Sequence, residues 1–213
     1  MNFTALALSV AISLFLTGCL PHPAGAEERA AFVQEADAGA PLLHSSRQEP
    51  DGSDYDGRIW DDFIFAADTR VSVIAWQGGH DPKKRGAGGP ATAFIVAIHP
   101  AIAAGIRPDV TVPPLATYRT ADNAGETAVQ SGGQPPMFRY RFTLPQPFPA
   151  KAGIRYWLRI EAVQQALPDW GIAAGTDGND THFRKTASGE GDGRYQAVPG
   201  DAAFTLFTPA GNR

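Results

Sequence analysis

Two apolar segments carry polar or indole side chains at every second position, a spacing that places them on one face of a β-strand. The segments are residues 137–144 and 154–162, and the outward positions are Arg139, Arg141, Arg155, Trp157 and Arg159. Guanidinium groups bind carboxylate or sulfate through paired hydrogen bonds, and an indole stacks on the apolar face of a sugar ring. If the two strands are neighbours, these side chains form one surface for an anionic glycan.

A plainer interpretation exists for the same residues. The arginines would pair with Glu161 and nearby aspartates as a cross-strand ladder that solvates an outer face, and we favour this interpretation. Trp170 is a further candidate for sugar stacking, but tryptophans of a small β domain also fill its core. The two interpretations differ in one observable. A ligand site requires that Trp157, Trp170 and the arginines share a solvent-facing surface.

A turn rich in oxygen ligands is the candidate metal site. Asp177, Asn179 and Asp180 lie in the run Asp-Gly-Asn-Asp and offer the hard oxygen donors that Ca²⁺ takes. The spacing is not that of an EF-hand loop, and these residue types also suit turns for their own geometry. We therefore expect no cofactor, with a structural calcium ion left open.

Catalytic groups are scarce. The five histidines lack zinc-binding spacing, and adjacent Asp61 and Asp62 face opposite sides of a strand. The acid and base candidates that remain for a glycan hydrolase or lyase are His80, Asp81 and Glu161. The sequence therefore predicts a protein that is not an enzyme.

Short apolar runs separated by turn residues predict the fold. The chain of 213 residues contains 23 glycines and 18 prolines, and it lacks a long amphipathic helical pattern. About nine strands within residues 56–209 predict an all-β, antiparallel two-sheet β-sandwich. The three prolines between residues 145 and 153 predict a long loop that joins the two arginine-bearing strands as a hairpin.

The N-terminus predicts export. Residues 1–18 form a short apolar signal peptide, and Leu16-Thr17-Gly18-Cys19 resembles the bacterial lipobox, which implies lipidation of Cys19. Residues 19–55 are read as a flexible tether, with a short helix near Glu27–Ala36 left open. Leu20 after the cysteine implies an outer-membrane lipoprotein, whereas cleavage after Ala26 would give a secreted protein.

Several aromatic motifs of the domain follow one another in a familiar order. They are Asp61-Asp62-Phe63-Ile64-Phe65, Val73-Ile74-Ala75-Trp76-Gln77-Gly78-Gly79, Gly153-Ile154-Arg155-Tyr156-Trp157-Leu158-Arg159-Ile160, Trp170 and Ala203-Phe204-Thr205-Leu206. This order resembles the jelly-roll domains of bacterial surface and secreted proteins, which are found beside choice-of-anchor or PEP-CTERM sorting signals and are similar to galactose-binding-like modules. The resemblance implies a jelly-roll sandwich and carbohydrate as the ligand class.

The net charge of the chain limits the classes of partner that the sequence predicts. The net charge of −4 and the absence of a long basic run exclude a nucleic-acid role. The sequence thus predicts a non-enzymatic, envelope-anchored β-sandwich that binds a polysaccharide or a surface protein. A glycan hydrolase or lyase and a purely structural lipoprotein are the alternatives.

Overall fold

A computed structural model describes most of the chain after the N-terminal segment. The described residues are 28–37, 39–49, 56–80, 91–129, 136–166, 169–186 and 195–209. Residues 1–27, with the predicted signal peptide and Cys19, lie outside this range. Within the described residues, no helix has the length and apolarity needed to cross a bilayer.

The described residues form an all-β protein with sixteen strands. They are β1 (Arg29–Gln34), β2 (Leu43–His44), β3 (Ser46–Gln48), β4 (Gly57–Ile64), β5 (Thr69–His80), β6 (Ala93–Pro100), β7 (Ala116–Arg119), β8 (Thr127–Val129), β9 (Met137–Ala150), β10 (Arg155–Gln164), β11 (Trp170–Ile172), β12 (Ala174–Gly175), β13 (Thr181–Thr186), β14 (Tyr195–Pro199), β15 (Asp201–Ala202) and β16 (Phe204–Thr208).

Two seven-stranded sheets form the predicted sandwich. In the first sheet, β5 pairs with β16 and β11 along one edge and with β9 along the other; β1, β2 and β8 extend this sheet. The second sheet has the order β14-β13-β4-β10-β6-β7, and β3 pairs with β10. The strand pairs described are antiparallel except β3 with β10, and β12 and β15 form a small third sheet.

Aromatic side chains fill the space between the two main sheets. Trp76, Phe94, Tyr140 and Trp170 contact one another with ring centroids 4.7 to 5.7 Å apart. The predicted alternation is confirmed for Tyr140 of β9 and for Tyr156, Leu158 and Ile160 of β10, which belong to this core. It is wrong for Ile154, which precedes β10 and is 50% exposed. Burial of such apolar surface is the main stabilising term of the fold.

The predicted flexible tether is wrong for the residues that are described. Residues 29–48 contain β1, β2 and β3, and residues 29–34 are a strand where a short helix was left open. Phe32 of β1 stacks on Phe204 at 5.3 Å, and Ser45 donates a hydrogen bond to the Ile160 carbonyl at 2.5 Å. Within the described residues, the sandwich therefore includes β1 to β3 and does not begin near residue 56.

The predicted hairpin between the two arginine-bearing strands is also wrong. β9 pairs with β5 and β8 in the first sheet, whereas β10 lies in the second sheet between β4 and β6. The prolines lie inside β9, and Pro149 pairs with Arg70. β5 pairs with one edge of β9, and β8 pairs with the opposite edge only at Met137–Arg139. No described strand therefore lies along that opposite edge at residues 145–150. A proline there costs no hydrogen bond between strands.

Candidate functional site

An open groove lies on the outer face of the first sheet. Its volume is about 290 Å³, close to the lower limit of ordinary ligand pockets. The residues that line it are Gln34, Glu35, Ala75, Trp76, Gln77, Arg139, Arg141, Ala203, Phe204, Thr205 and Phe207. Strands β5, β9 and β16 thus form one surface with the end of β1 and the residue that follows it.

Strand register explains why the groove exists. Ala75 of β5 pairs with Arg141 of β9 on one side and with Thr205 of β16 on the other, and the next outward position of β5, Gln77, pairs with Arg139. The small alanine between longer side chains leaves a depression along β5. Long polar side chains therefore form its walls.

The two arginines of the groove differ in their partners. Arg141 forms an ion pair with Glu28, and its guanidinium carbon lies 4.8 Å from the centroid of the Phe207 ring. Arg139 is exposed, and within the described residues it forms no ion pair or hydrogen bond. Arg139 is therefore the cation of the groove that is available to a ligand.

The groove has the groups that recognise a hydroxylated ligand. Gln77 and Thr205 offer both donors and acceptors, Glu35 is an exposed acceptor, and Arg139 is a donor fork suited to a carboxylate. Phe207 supplies a half-buried aromatic ring. These side chains can hold a ligand through hydrogen bonds and ring contacts alone, without a covalent step.

The outer face of the second sheet carries the other predicted residues, but it is not open. Trp157 is on this face as the alternation predicts, yet it is only 1% exposed. It packs with Trp60 and Phe183, and Ala101 and Tyr195 lie against them. The expectation that Trp157 lies on a solvent-facing surface is therefore wrong.

A buried ionic group lies beside this aromatic cluster. Glu161 is fully buried, with its Oε1 accepting a hydrogen bond from Arg58 Nε at 3.0 Å and its Oε2 3.8 Å from Arg159 Nε. Arg159 lies 5.9 Å from the Trp60 ring and burial lowers its pKa. Arg159 thus pairs within the molecule, but its partner Glu161 is on the same strand and is buried, whereas the expected ladder crosses strands and solvates an outer face.

Arg155 also has an internal partner. Its Nη1 lies 2.5 Å from Asp62 Oδ2, and Asn179 donates to the other oxygen of Asp62 at 2.6 Å. Burial raises the pKa of Asp62, and the Arg155 guanidinium opposes this. Asp61 faces the opposite side, where it accepts backbone hydrogen bonds from Asp62 and Ala202, and burial raises its pKa well above the usual range.

The candidate calcium turn is organised by Asp201. The carboxylate of Asp201 accepts hydrogen bonds from the backbone of Gly178, Asn179 and Thr181 at 3.1 to 3.3 Å. Asp177 and Asp180 have φ of 68° and 59°, which is turn geometry. Across the described ranges, no group of three or more His, Cys, Asp or Glu side chains is placed to hold a metal ion. The turn that contains Asp177, Asn179 and Asp180 is thus held by hydrogen bonds to Asp201.

Trp170 lies in the core. It is fully buried and its indole N–H donates to the Tyr140 hydroxyl at 3.1 Å. The six predicted ligand residues are thus divided among the open groove (Arg139 and Arg141), the covered outer face of the second sheet (Arg155, Trp157 and Arg159) and the core (Trp170). They do not share one surface.

Two of the acid and base candidates, His80 and Glu161, belong to different sheets. His80 ends β5 in the first sheet, Glu161 lies on the covered face of the second sheet, and Asp81 falls outside the described residues. Sequence reasoning missed Gln77, Thr205 and Phe207 as groove residues. Their common surface depends on pairing between distant strands, for which the local pattern holds no signal.

A comparison with protein-family models gives a match. A family model described as a domain of unknown function, DUF7901, matches residues 45–196, which is more than half of the chain. No curated protein matches. The matched region begins within the segment read as a tether, in agreement with the strands found there.

Proposed function

Since the chain belongs to the DUF7901 family, whose function is unknown, we propose from its geometry that it is a non-catalytic binding module of the cell envelope. Its ligand is a polysaccharide, held in the groove of the first sheet. The observation that carries this proposal is the exposed guanidinium of Arg139, which has no ion-pair partner among the described residues and lies on the wall of the groove of about 290 Å³. The resemblance to galactose-binding-like jelly-roll modules supports carbohydrate as the ligand class.

An acidic polysaccharide fits the groove best. A uronic-acid carboxylate would accept two parallel hydrogen bonds from Arg139, and sugar hydroxyls would meet Gln77, Thr205 and Glu35. Charge-assisted hydrogen bonds contribute about 1.5–3 kcal/mol each. One such hydrogen bond is therefore enough for the groove to bind an acidic polysaccharide more tightly than a neutral one.

Affinity electrophoresis through gels containing polygalacturonate, alginate or a neutral glucan tests the proposal. We expect retardation by an acidic polysaccharide and, for Arg139→Gln, a Kd raised about tenfold or more. Arg70→Gln is the matched control, because Arg70 is an exposed arginine of the same sheet that does not line the groove. Equal binding by Arg139→Gln and the unmodified chain, or no retardation in any gel, would sink the proposal.

The same polysaccharides separate binding from catalysis. A hydrolase or lyase would release new chain ends during incubation, whereas a binding module leaves the polymer length unchanged. Viscosity and reducing-end assays therefore accompany the gels. Release of ends that is lost in Arg139→Gln would make the protein an enzyme.

The cellular address belongs to the proposal as well. Cys19 follows a signal peptide and would carry a diacylglyceryl group at the outer membrane, with secretion after cleavage at Ala26 as the alternative. Mass spectrometry of the mature N-terminus distinguishes the two. A diacylated Cys19 is expected, and a chain that begins at Glu27 would show a freely secreted protein.

A further inference from the structure

Exposed aliphatic side chains are concentrated in three short segments. Four belong to the loop between β6 and β7, one ends β4 and one precedes β10, and they are 43% to 69% exposed. They are Ile106, Val110, Val112, Leu115, Ile64 and Ile154. Val33, which is 38% exposed, is the one other exposed large apolar side chain among the described residues. Such a concentration on a soluble domain marks a contact surface.

Strand register places the three segments at the same end of the sandwich. Ile64 pairs with Arg155, which follows Ile154, and Tyr156 pairs with Pro100, where β6 runs into the loop. A Cβ on Gly105 of that loop would lie 4.0 Å from Arg155 Nε. We call the surface formed by the six aliphatic residues the apolar end.

The loop is held in a defined conformation. Backbone hydrogen bonds join Asp109 to Pro100 at 2.8 Å and Leu115 to Ile98 at 2.8 Å, and Asp109 accepts from Thr111 at 2.6 Å. Its aliphatic side chains are thus presented outward by an ordered backbone. Presentation of this kind lowers the entropy cost of binding.

The N-terminal strand starts at this end as well. Arg29 pairs with Thr208, Phe207 with Val73, and the first residue of β5, Thr69, pairs with Ala150 just before the turn to β10. Ten residue steps separate Arg29 from Cys19, so even a fully extended chain spans at most about 35 Å. The anchor therefore joins the sandwich on the side of the apolar end and close to it.

We propose that the apolar end rests on the lipid surface to which Cys19 is attached. The inference depends on the anchor in the proposed function and adds the orientation of the domain. The aliphatic side chains enter the headgroup region, about 5–10 Å deep, and the exposed cations Arg29 and Arg107 meet phosphate groups, while Lys151 is paired with Asp68. The polysaccharide groove, on the side face of the first sheet, stays in water.

Site-specific fluorescence on the lipidated, full-length chain tests the orientation. A single new thiol at Ile106→Cys is labelled with an environment-sensitive dye, and the protein is inserted into vesicles of phosphatidylethanolamine and phosphatidylglycerol. Ala128→Cys is the matched control, since Ala128 is exposed at the opposite end, where β8 pairs with the first residues of β9. We expect a blue shift and quenching by spin-labelled lipid at position 106 but not at position 128.

Equal spectra at the two positions would overturn the orientation. Mass spectrometry of the same sample reports the state of Cys19, so failure of the anchor is seen separately. In the non-lipidated chain, Ile106→Asp with Val112→Asp should lower vesicle partitioning on the order of tenfold. A concentration-dependent dimer abolished by these changes would assign the surface to a second copy and also overturn the proposal.

Discussion

In the part of the chain that the structure describes, buried polar atoms that form no hydrogen bond are concentrated on the covered face of the second sheet. They include both ring nitrogens of His99, the indole nitrogens of Trp60 and Trp157, the hydroxyl of Tyr195 and one oxygen of Glu161. Such atoms cost free energy when they leave water. This face is therefore sensitive to any change of charge.

His99 illustrates that sensitivity. Burial, helped by the nearby Arg159, lowers its pKa from 6.5 to about 4. As the pH falls from 6.5 towards 4, the unfolded chain takes up a proton that the folded protein does not, so stability is lost over this range and is fully present above it.

Replacing His99 by phenylalanine should remove this acid-dependent loss. The variant keeps a ring against Trp60, 6.0 Å away in the unmodified protein, but it cannot titrate. Urea unfolding between about pH 7 and about pH 4 should show the unmodified chain losing up to about 3 kcal/mol more than His99→Phe. His182, whose pKa is also lowered by burial, is present in both proteins and cancels. Parallel pH profiles would contradict the prediction.

At the scale of elements, β5 and β11 meet more closely than two ordinary strands with side chains could. A Cβ on Gly78 would lie 2.2 Å from Trp170 Cζ2 and 2.5 Å from the Gly171 carbonyl oxygen. The indole of Trp170 thus occupies the space that a side chain at position 78 would need. The core packing of Trp170 depends on this glycine.

Gly78→Ala should therefore destabilise the protein by about 1–3 kcal/mol, the usual cost of overpacking. Gly39→Ala is the control, because its new Cβ would lie 3.4 Å from Asp37 Oδ1, an ordinary contact. Chemical unfolding of both variants measures the difference. If Gly78→Ala is as stable as Gly39→Ala, the close approach of β5 and Trp170 is not rigid.

The faces of single strands could be predicted from the sequence, but their partners could not. Alternation placed Tyr140 and Leu158 in the core correctly, because side-chain direction is a local property of a strand. It could not tell that Arg139 and Arg159 belong to opposite sheets, since sheet membership depends on non-local pairing. The covered state of Trp157 is likewise a result of tertiary packing.

At the scale of the whole molecule, β1 to β3 complete the sandwich. β1 supplies the edge strand beside β16, and β3 pairs with β10 at Ala162–Gln164. The sequence did not predict β1, because its apolar alternation is weak and Gln34 is its one buried residue. The fold class was predictable from the runs after residue 56, whereas the domain boundary was not.

Truncation tests the boundary. A chain that begins at Asp56 should lose cooperative thermal unfolding, because it lacks the Phe32–Phe204 stack and the Ser45 hydrogen bond to Ile160. A chain that begins at Glu28 keeps all three strands and should unfold as cooperatively as the full protein. Circular dichroism and calorimetry compare the two. Cooperative unfolding of the shorter chain would place β1 to β3 outside the stable unit.

The pairing of β1 with β16 also bears on mechanical load. In the proposed state, with a lipid on Cys19 and a polymer in the groove, tension on the polymer would pass along β1, parallel to its axis. The ladder from Arg29–Thr208 to Gln34–Phe204 then carries the force in shear, with its hydrogen bonds loaded together and not opened one after another. β1, which lies in the predicted flexible tether, is thus the strand through which a tethered protein would resist mechanical unfolding.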